Sequence, residues 1–257
     1  MTAICYFSGT GNSLWSAQKI AQGVRSIGAE CALINIGAEA DKSEITIEAD
    51  AVVMVFPSYA YGLPLAVRRF AQKAALKTPY AAAFVTFGTS PGGTLGALRS
   101  ILKKKKIGHC YFGLIPAPEN YLAIFGVQKQ EKIIHRFSMQ QKATEEAVRA
   151  VIERRENRVS VFYPFSGFVS LLFSLGVKIF YKFYRLGGNC NGCEVCAKIC
   201  PVSAITMRDG RPVFSGKCEH CQGCVNICPL RAIQFGRVKL GAPGYCHPAL
   251  DIDDLAR

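Results

Sequence analysis

Short apolar runs alternate with amphipathic stretches over residues 1–157. Most of these runs are continuously apolar, as expected of strands that are covered on both faces of a sheet. Five of them read as strands, namely Ala3–Phe7, Ala32–Ile36, Ala51–Phe56, Ala81–Phe87 and His109–Ile115. Helical periodicity is found in Ser13–Ser26, Pro64–Lys77, Thr94–Lys105 and a longer segment from about Gln130 to Asn157. The pattern predicts an α/β fold with a doubly wound, five-stranded parallel sheet.

The segment 158–188 differs in composition. A run of 19 uncharged residues spans Val159–Val177. It is followed by a basic stripe at helical spacing, formed by Lys178, Lys182 and Arg185. As a helix the uncharged run would be about 28 Å long, close to the thickness of a hydrocarbon core. Its proline and glycines favour a linker helix that packs the flanking domains together. Peripheral contact of residues 159–186 with an anionic membrane, and a membrane span, are the two alternatives.

Cysteine is the unusual feature of the composition. The chain has 257 residues and 12 cysteines, and 8 of the 12 lie between Cys190 and Cys228. The N-terminal segment shows neither the basic region nor the long apolar region of a signal peptide. A disulfide scaffold of a secreted protein is usually shorter than this chain. We therefore expect metal-bound thiolates in a reducing compartment, with a cytoplasmic location.

A cysteine spacing, C-x2-C-x2-C-x3-C-P, occurs twice with an offset of 28 residues. This is the spacing of bacterial two-cluster ferredoxins, in which three thiolates bind one cubane and the fourth binds the other. The expected ligands of the first cluster are Cys190, Cys193, Cys196 and Cys228. The expected ligands of the second cluster are Cys218, Cys221, Cys224 and Cys200. Structural zinc is the alternative, but a zinc site needs only four ligands, commonly from two separated pairs.

The loop between the first strand and the first helix combines hydroxyls, two glycines and the free N–H groups of a helix N-terminus. These features predict a phosphate site. The third glycine of the dinucleotide fingerprint is missing, and so is the lysine of a P-loop. The loop instead resembles the phosphate loop of flavodoxins. The residues predicted to bind the phosphate of FMN are Ser8, Gly9, Thr10, Gly11, Asn12 and Ser13.

Two later loops follow the third and fourth predicted strands and lie at the same edge of the sheet. One is aromatic and the other is rich in glycine, as are the loops that flank the isoalloxazine ring in a flavodoxin-like sheet. The predicted residues of the aromatic loop are Ser58, Tyr59, Ala60, Tyr61 and Gly62. Those of the glycine-rich loop are Gly88, Thr89, Ser90, Gly92 and Gly93. Three suitable loops in this order favour FMN as the cofactor.

The chain as a whole resembles flavodoxin/ferredoxin fusion proteins of anaerobic bacteria and archaea. The resemblance rests on YFSGTGNSL at Tyr6–Leu14, FPSYAYGLP at Phe56–Pro64, both cysteine runs, and the tail YCHP at Tyr245–Pro248. It implies a sheet of strand order 2-1-3-4-5, bound FMN, two [4Fe–4S] clusters and a role in electron transfer. The expected domains are a flavodoxin-like domain (1–157), a helical linker (158–188), a small α+β ferredoxin domain (189–237) and a C-terminal tail (238–257).

The expected function is a relay of low-potential electrons between the two clusters and FMN, and on to a redox partner. The alternative is an FMN-dependent reductase of a quinone- or flavin-like molecule that uses the clusters as a wire. Its proton donor would come from Tyr59, Tyr61, Tyr121 or His135. The net charge of +13 favours an acidic redox protein as partner. A nucleic-acid partner is not expected, because no binding motif accompanies the basic residues.

Overall fold

A five-stranded parallel sheet forms the centre of the N-terminal domain. The computed structural model describes residues 1–159, 163–236, 238 and 241–256. Its large sheet has the order β2-β1-β4-β6-β7, with β1 at Thr2–Tyr6, β2 at Cys31–Asn35, β4 at Ala51–Pro57, β6 at Tyr80–Phe87 and β7 at His109–Pro116. Counted along the chain as five sheet strands, this is the order 2-1-3-4-5. The predicted doubly wound fold is therefore confirmed.

Helices cover both faces of this sheet. The helices of the N-terminal domain are α1 (Asn12–Ser26), α2 (Ile36–Glu39), α3 (Leu65–Lys73), α4 (Thr94–Lys104), α5 (Leu122–Phe125) and α6 (Gln130–Ile152). On one face, Ile20 of α1 and Val151 of α6 are buried against the sheet. On the other face, Phe70 of α3 and Leu98 of α4 are buried. This two-sided cover explains why β4 is continuously apolar.

Two predicted helices end earlier than the sequence pattern suggested. The helix that begins at Leu65 ends at Lys73, and Ala75–Lys77 forms strand β5, which pairs in parallel with β3 (Thr46–Glu48). Helix could not continue far in any case, because Pro79 disfavours helical backbone at the preceding residue. Helix α6 ends at Ile152 and not at Asn157. The side chain of Asn157 instead exchanges two hydrogen bonds of 2.9 Å with the backbone of Phe112 at the edge of the sheet.

The predicted linker contains helix α7 (Ser166–Phe180) and a 3-10 turn at Tyr181–Phe183. The next three residues form strand β8 (Tyr184–Leu186), which pairs antiparallel with β11 (Ile233–Phe235). The end of the predicted linker is thus part of the C-terminal domain. Among the described residues, one segment, Ser166–Phe183, is long and apolar enough to cross a membrane by length and composition. That property alone is weak evidence for a membrane span.

The C-terminal domain consists of short elements around the cysteines. They are α8 (Val195–Lys198), β9 (Ile205–Arg208), β10 (Arg211–Phe214) and α9 (Gly223–Ile227), together with β8 and β11. Strands β9 and β10 form an antiparallel hairpin. The apolar residues of this domain continue the core of the N-terminal domain, and the pair Leu14 and Ile199 joins α1 to the C-terminal domain in a smaller cluster. The two domains are therefore packed on each other.

The predicted C-terminal tail packs on the N-terminal domain. His247 is buried and stacks on Trp15 of α1 with ring centroids 4.9 Å apart. The hydroxyl of Tyr245 donates a hydrogen bond of 2.6 Å to the side-chain oxygen of Asn12. A last short helix, α10 (Ile252–Leu255), buries Leu255 beside Leu14. The tail therefore supports the loop that precedes α1.

Candidate functional site

A cleft of about 420 Å³ lies at the carboxyl edge of the large sheet. The loops after β1, β4, β6 and β7 form its walls. This is the edge at which open α/β sheets bind ligands, and the volume falls within the range of roughly 300–1,000 Å³ that is common for small-molecule sites. The sheet topology therefore brings the three predicted loops together with a fourth.

The first loop has the properties of an anion site. Its turn depends on Gly11, whose φ of 99° is left-handed backbone that favours glycine. The Gly11 amide donates to the Ser8 hydroxyl over 3.1 Å, and Asn120 Nδ2 donates to the Thr10 hydroxyl oxygen over 2.7 Å. Helix α1 begins at Asn12, so the first amides of the helix have no carbonyl of a preceding turn to bond. Those amides and the hydroxyl groups of Ser8 and Thr10 can donate hydrogen bonds to a phosphate.

The other two predicted loops supply an aromatic wall and a backbone wall. Tyr59 packs edge-on against Phe7, with ring centroids 6.4 Å apart. Ser58 lies at the base of both loops, because its hydroxyl donates to the Pro91 carbonyl over 3.0 Å. Ala60 and Tyr61 have φ values of 45° and 64° at the tip of the aromatic loop. The loop is thus held in a conformation that residues other than glycine seldom adopt.

Most of the predicted FMN residues line the cleft, and four glycines do not. The predicted residues that line it are Ser8, Gly9, Thr10, Asn12, Ser13, Ser58, Tyr59, Ala60, Tyr61, Gly88, Thr89 and Ser90. Gly11 shapes the first turn, while Gly62 closes the aromatic loop by two backbone hydrogen bonds of 3.0 Å with Tyr59. Gly92 packs against Tyr61, and Gly93 precedes α4. These four glycines act on the shape of the loops.

The sequence analysis missed the fourth wall of the cleft. It comes from the loop after β7, with Pro118, Glu119 and Asn120. The Glu119 carboxylate lies where a side chain at Gly88 would be, and it accepts a hydrogen bond of 3.1 Å from the Thr89 hydroxyl. Burial raises the pKa of Glu119. This wall could have been predicted from the sequence, because the last parallel strand ends at the same edge of the sheet as the other strands.

The remaining wall comes from residues that are distant in sequence. Val169, Phe173 and Phe180 of α7 and His220 and Cys221 of the C-terminal domain also line the cleft. No local pattern in the sequence marks these residues for this position. The linker helix and the cysteine domain together close one side of the cleft.

The first predicted cysteine quartet surrounds a small cavity of the C-terminal domain. Cys190, Cys193, Cys196 and Cys228 line it together with the apolar residues Met207, Pro212 and Ile233. Burial raises the pKa of the Cys196 thiol to about 11, so an uncompensated thiolate is disfavoured there. An iron–sulfur core supplies the positive charge that such thiolates require. Cys193 is exposed, which places one edge of this site at the surface.

The second predicted quartet surrounds a separate cavity. Cys200, Cys218, Cys221 and Cys224 line it. Burial raises the pKa of the Cys218 thiol to about 11, and it raises the pKa of the Cys224 thiol well above its usual value. The Ala204 amide donates to Cys200 Sγ over 3.2 Å, and amide donation to sulfur is one of the ways in which a protein adjusts a cluster potential. The structure thus brings the eight cysteines together in two groups of four. We call the two sites cavity I and cavity II in chain order.

Cavity II adjoins the cleft. Cys221 lines both of them. A Cβ atom added to Gly9 would lie 2.8 Å from the Cβ of Cys221, and one added to Gly223 would lie 2.6 Å from the Gly9 carbonyl oxygen. Two glycines therefore allow the predicted phosphate loop to touch the ligand turn of cavity II. Cavity I shares no lining residue with the cleft among the described residues.

His220 forms a polar contact between the same two sites. Its side chain is buried, with Nε2 2.8 Å from the Tyr121 hydroxyl and Nδ1 3.0 Å from the Tyr184 hydroxyl. Burial lowers the pKa of His220 to about 4, so the ring is neutral at pH 7. Of the predicted proton-donor candidates, Tyr59, Tyr61 and Tyr121 line the cleft, whereas His135 lies exposed on α6.

Comparisons with known proteins agree with this division of the chain. Residues 182–229 match the family model described as a 4Fe-4S dicluster domain. A search of curated proteins finds no significant match to the sequence. Similar solved structures include a flavodoxin of Streptococcus pneumonia TIGR4 (13% identity, 56% of this chain and 98% of that chain, TM-score 0.33). They also include the two-electron reduced Megasphaera elsdenii flavodoxin (17% identity, 56% of this chain and 99% of that chain, TM-score 0.34). A third is the Trp repressor binding protein from Bacillus subtilis (12% identity, 61% of this chain and 100% of that chain, TM-score 0.36).

These scores are low, so the fold rests on the observed strand order. The chain has a flavodoxin-like domain followed by a ferredoxin-like domain for two [4Fe–4S] clusters. The 4Fe-4S dicluster domain beside a flavodoxin-like fold supports a role in electron transfer.

Proposed function

We propose that the cleft binds FMN and that electrons pass between FMN and the two clusters in a fixed spatial order, cavity I, cavity II and flavin. The observation that carries this order is the position of Cys221, which lines both cavity II and the cleft. Bound FMN takes up two electrons and two protons in its full reduction, whereas each cluster passes one electron at a time. On this ground we propose that the chain belongs to the group of flavodoxin/ferredoxin fusion proteins that it resembles.

FMN suits the residues present in the cleft. The first loop offers helix N-terminal amides and hydroxyls for the phosphate, without a lysine or arginine. Tyr59 and Tyr61 supply an aromatic wall for a flat ring system. The Tyr59 hydroxyl is buried and has no hydrogen-bond partner among the described residues. A buried hydroxyl of this kind indicates that a further group belongs beside it, and because Cys221 and Cys218 lie near it we assign that group to the cluster of cavity II.

Cavity I is the proposed contact point for a redox protein. Cys193 is exposed there, and Met207 and Pro212 line the cavity at the β9–β10 hairpin. Arg208 and Arg211 are paired across this hairpin and are both exposed. These two cations, together with the net charge of +13, suit an acidic partner. Cytoplasmic location is part of the proposal, since the clusters need a reducing compartment.

The test is anaerobic purification with iron, sulfide and FMN quantified, followed by reductive titration monitored by EPR and absorbance. Eight irons and one flavin per chain are expected from the two quartets and the cleft. Cys218→Ser, which alters cavity II away from the cleft, should stop rapid flavin reduction by a low-potential ferredoxin while the cluster of cavity I is still reduced. Cys31→Ser is the control, because Cys31 lies outside both cavities. Undiminished flavin reduction in Cys218→Ser, at normal flavin content, would refute the order.

A second candidate function is reduction of a small flat molecule at the cleft. The observation in its favour is the apolar edge formed by Ile124, Phe125 and Val169 beside Tyr121. Dithionite-reduced protein would then turn over a quinone much faster than an equal concentration of free FMN does. Equal rates of quinone turnover by the protein and by free FMN would rule out this reductase activity, and electron transfer would remain as the proposed function.

A further inference from the structure

The outer face of α7 is apolar and exposed over its whole length. Phe168 is 63% exposed, Leu172 is 53% exposed and Leu175 is 57% exposed. Phe165, immediately before the helix, reaches 81%. Within the helix only Ser170 and Val177 are buried. The inner face packs on the protein, because Phe173 and Phe180 lie near the ring of His220.

The apolar surface continues beyond α7. Val169 and Ile124 line the same cleft, and Ile124 is 73% exposed. Phe125 and Val127 next to it are exposed as well. We call this combined area, the outer face of 165–183 together with residues 124–127, the apolar platform. Scattered exposed apolar side chains are normal on proteins, but a contiguous group of this extent marks an interaction surface.

The charges of the segment that contains α7 are positive. The sequence has no aspartate or glutamate between Glu156 and Glu194. Lys178 and Lys182 are exposed beside the C-terminal half of α7. At the other end, Ser166 lines a surface pocket together with Arg99 and Lys103 of α4. Cations therefore stand at both ends of an apolar face, where they can contact anionic headgroups while that face enters the lipid.

We propose that the apolar platform docks on an anionic lipid surface with α7 in the plane of the membrane. The segments before and after α7 belong to the N-terminal and the C-terminal domain, and these two domains contact each other at Gly9 and Cys221. A spanning helix would place those domains on opposite sides of a membrane and break that contact. A second copy of the chain is a poorer occupant, because two bodies of the same net positive charge repel each other. Docking in this orientation places the mouth of the cleft beside the lipid.

The experiment is co-sedimentation of the anaerobically purified holoprotein with vesicles. Phosphatidylcholine vesicles that contain phosphatidylglycerol are compared with pure phosphatidylcholine vesicles, at low and high salt. We expect binding that increases with the anionic fraction and weakens with salt. Leu172→Gln/Leu175→Gln should weaken binding by about tenfold or more, and Lys178→Gln/Lys182→Gln by about fivefold or more. The controls are Ile134→Gln, which alters an exposed apolar residue of α6, and Lys73→Gln/Lys142→Gln.

The absorbance of the clusters reports whether each variant is still folded. The dependence of wild-type binding on the anionic fraction and on salt tests the proposal without any variant. Absence of binding of the wild type to anionic vesicles at low salt would overturn the proposal. So would binding that the leucine variant leaves unchanged, because it would then be electrostatic only. Sedimentation velocity without lipid is the last arm. A wild-type dimer that Leu172→Gln/Leu175→Gln converts to monomer would assign the platform to self-association instead. Since vesicle binding needs no electron transfer, its outcome is independent of the proposed relay.

Discussion

The backbone of Gly9 packs directly on the side chain of Cys221, and a Cβ atom at Gly9 would lie 3.0 Å from the Cys221 sulfur. One residue belongs to the predicted phosphate loop and the other to the ligand set of cavity II. Their contact joins the two redox domains at the point where electrons would cross.

Gly9→Ala is expected to disturb this contact. The backbone at residue 9 or the side chain of Cys221 must shift by a few tenths of an ångström to admit the methyl group. Misplacement of reacting groups by about 1 Å can lower a rate roughly a hundredfold. We expect electron transfer between the clusters and the flavin to slow by about tenfold, measured by stopped-flow absorbance. Gly108→Ala is the matched control, because nothing lies within 4 Å of an added Cβ there. Identical rates in both variants would show that the contact is not on the path.

Tyr59→Phe tests the buried hydroxyl between the cleft and cavity II. Burial, with Cys221 and Glu219 nearby, raises the pKa of Tyr59, so the hydroxyl stays protonated and can donate. We expect it to donate to a sulfur of the cluster in cavity II. Its removal should then lower that cluster's potential by on the order of 50 mV, equivalent to about 1 kcal/mol. EPR-monitored titration measures this shift. Tyr163→Phe, an exposed position, should leave both potentials unchanged.

Tyr245→Phe removes a buried hydrogen bond between the tail and the phosphate loop. The Asn12 side-chain oxygen would lose its 2.6 Å partner, and an unsatisfied buried acceptor costs about 1–3 kcal/mol. We expect the unfolding free energy to fall by that amount and the affinity for FMN to fall with it. Denaturant titration and flavin fluorescence measure the two quantities. Unchanged FMN affinity would mean that the tail does not position Asn12.

Acidification should release the tail through His247. Burial lowers the pKa of His247 to about 4, below the value of about 6.5 expected when unfolded. The unfolded state therefore binds more protons between these values, so stability is complete above about pH 6.5 and declines as the pH falls. The loss approaches about 3 kcal/mol near pH 4. His247→Phe keeps an aromatic ring beside Trp15 and should remove only the share of this dependence that His247 contributes in denaturant titrations. The share of His220, whose pKa burial also lowers to about 4, should remain, and His135→Gln should change neither.

The sequence determined the parts of the protein that depend on local pattern. Continuous apolar runs located the five strands of the large sheet, and the repeated cysteine spacing predicted the quartets that surround cavity I and cavity II. Both inferences work because strand burial and ligand spacing can be recognised within short stretches of the sequence. The helix predicted through Lys77 was wrong in its last turn, because a short parallel pairing with Thr46–Glu48 takes up those residues.

Only the tertiary structure decided how the parts meet. It placed Cys221 and not a cysteine of cavity I at the cleft, and it packed His247 on Trp15. It also left the outer face of α7 exposed while the inner face covers the cleft. Each of these contacts joins residues far apart in the chain. They depend on the docking of one domain on another, and no local periodicity or spacing encodes that docking.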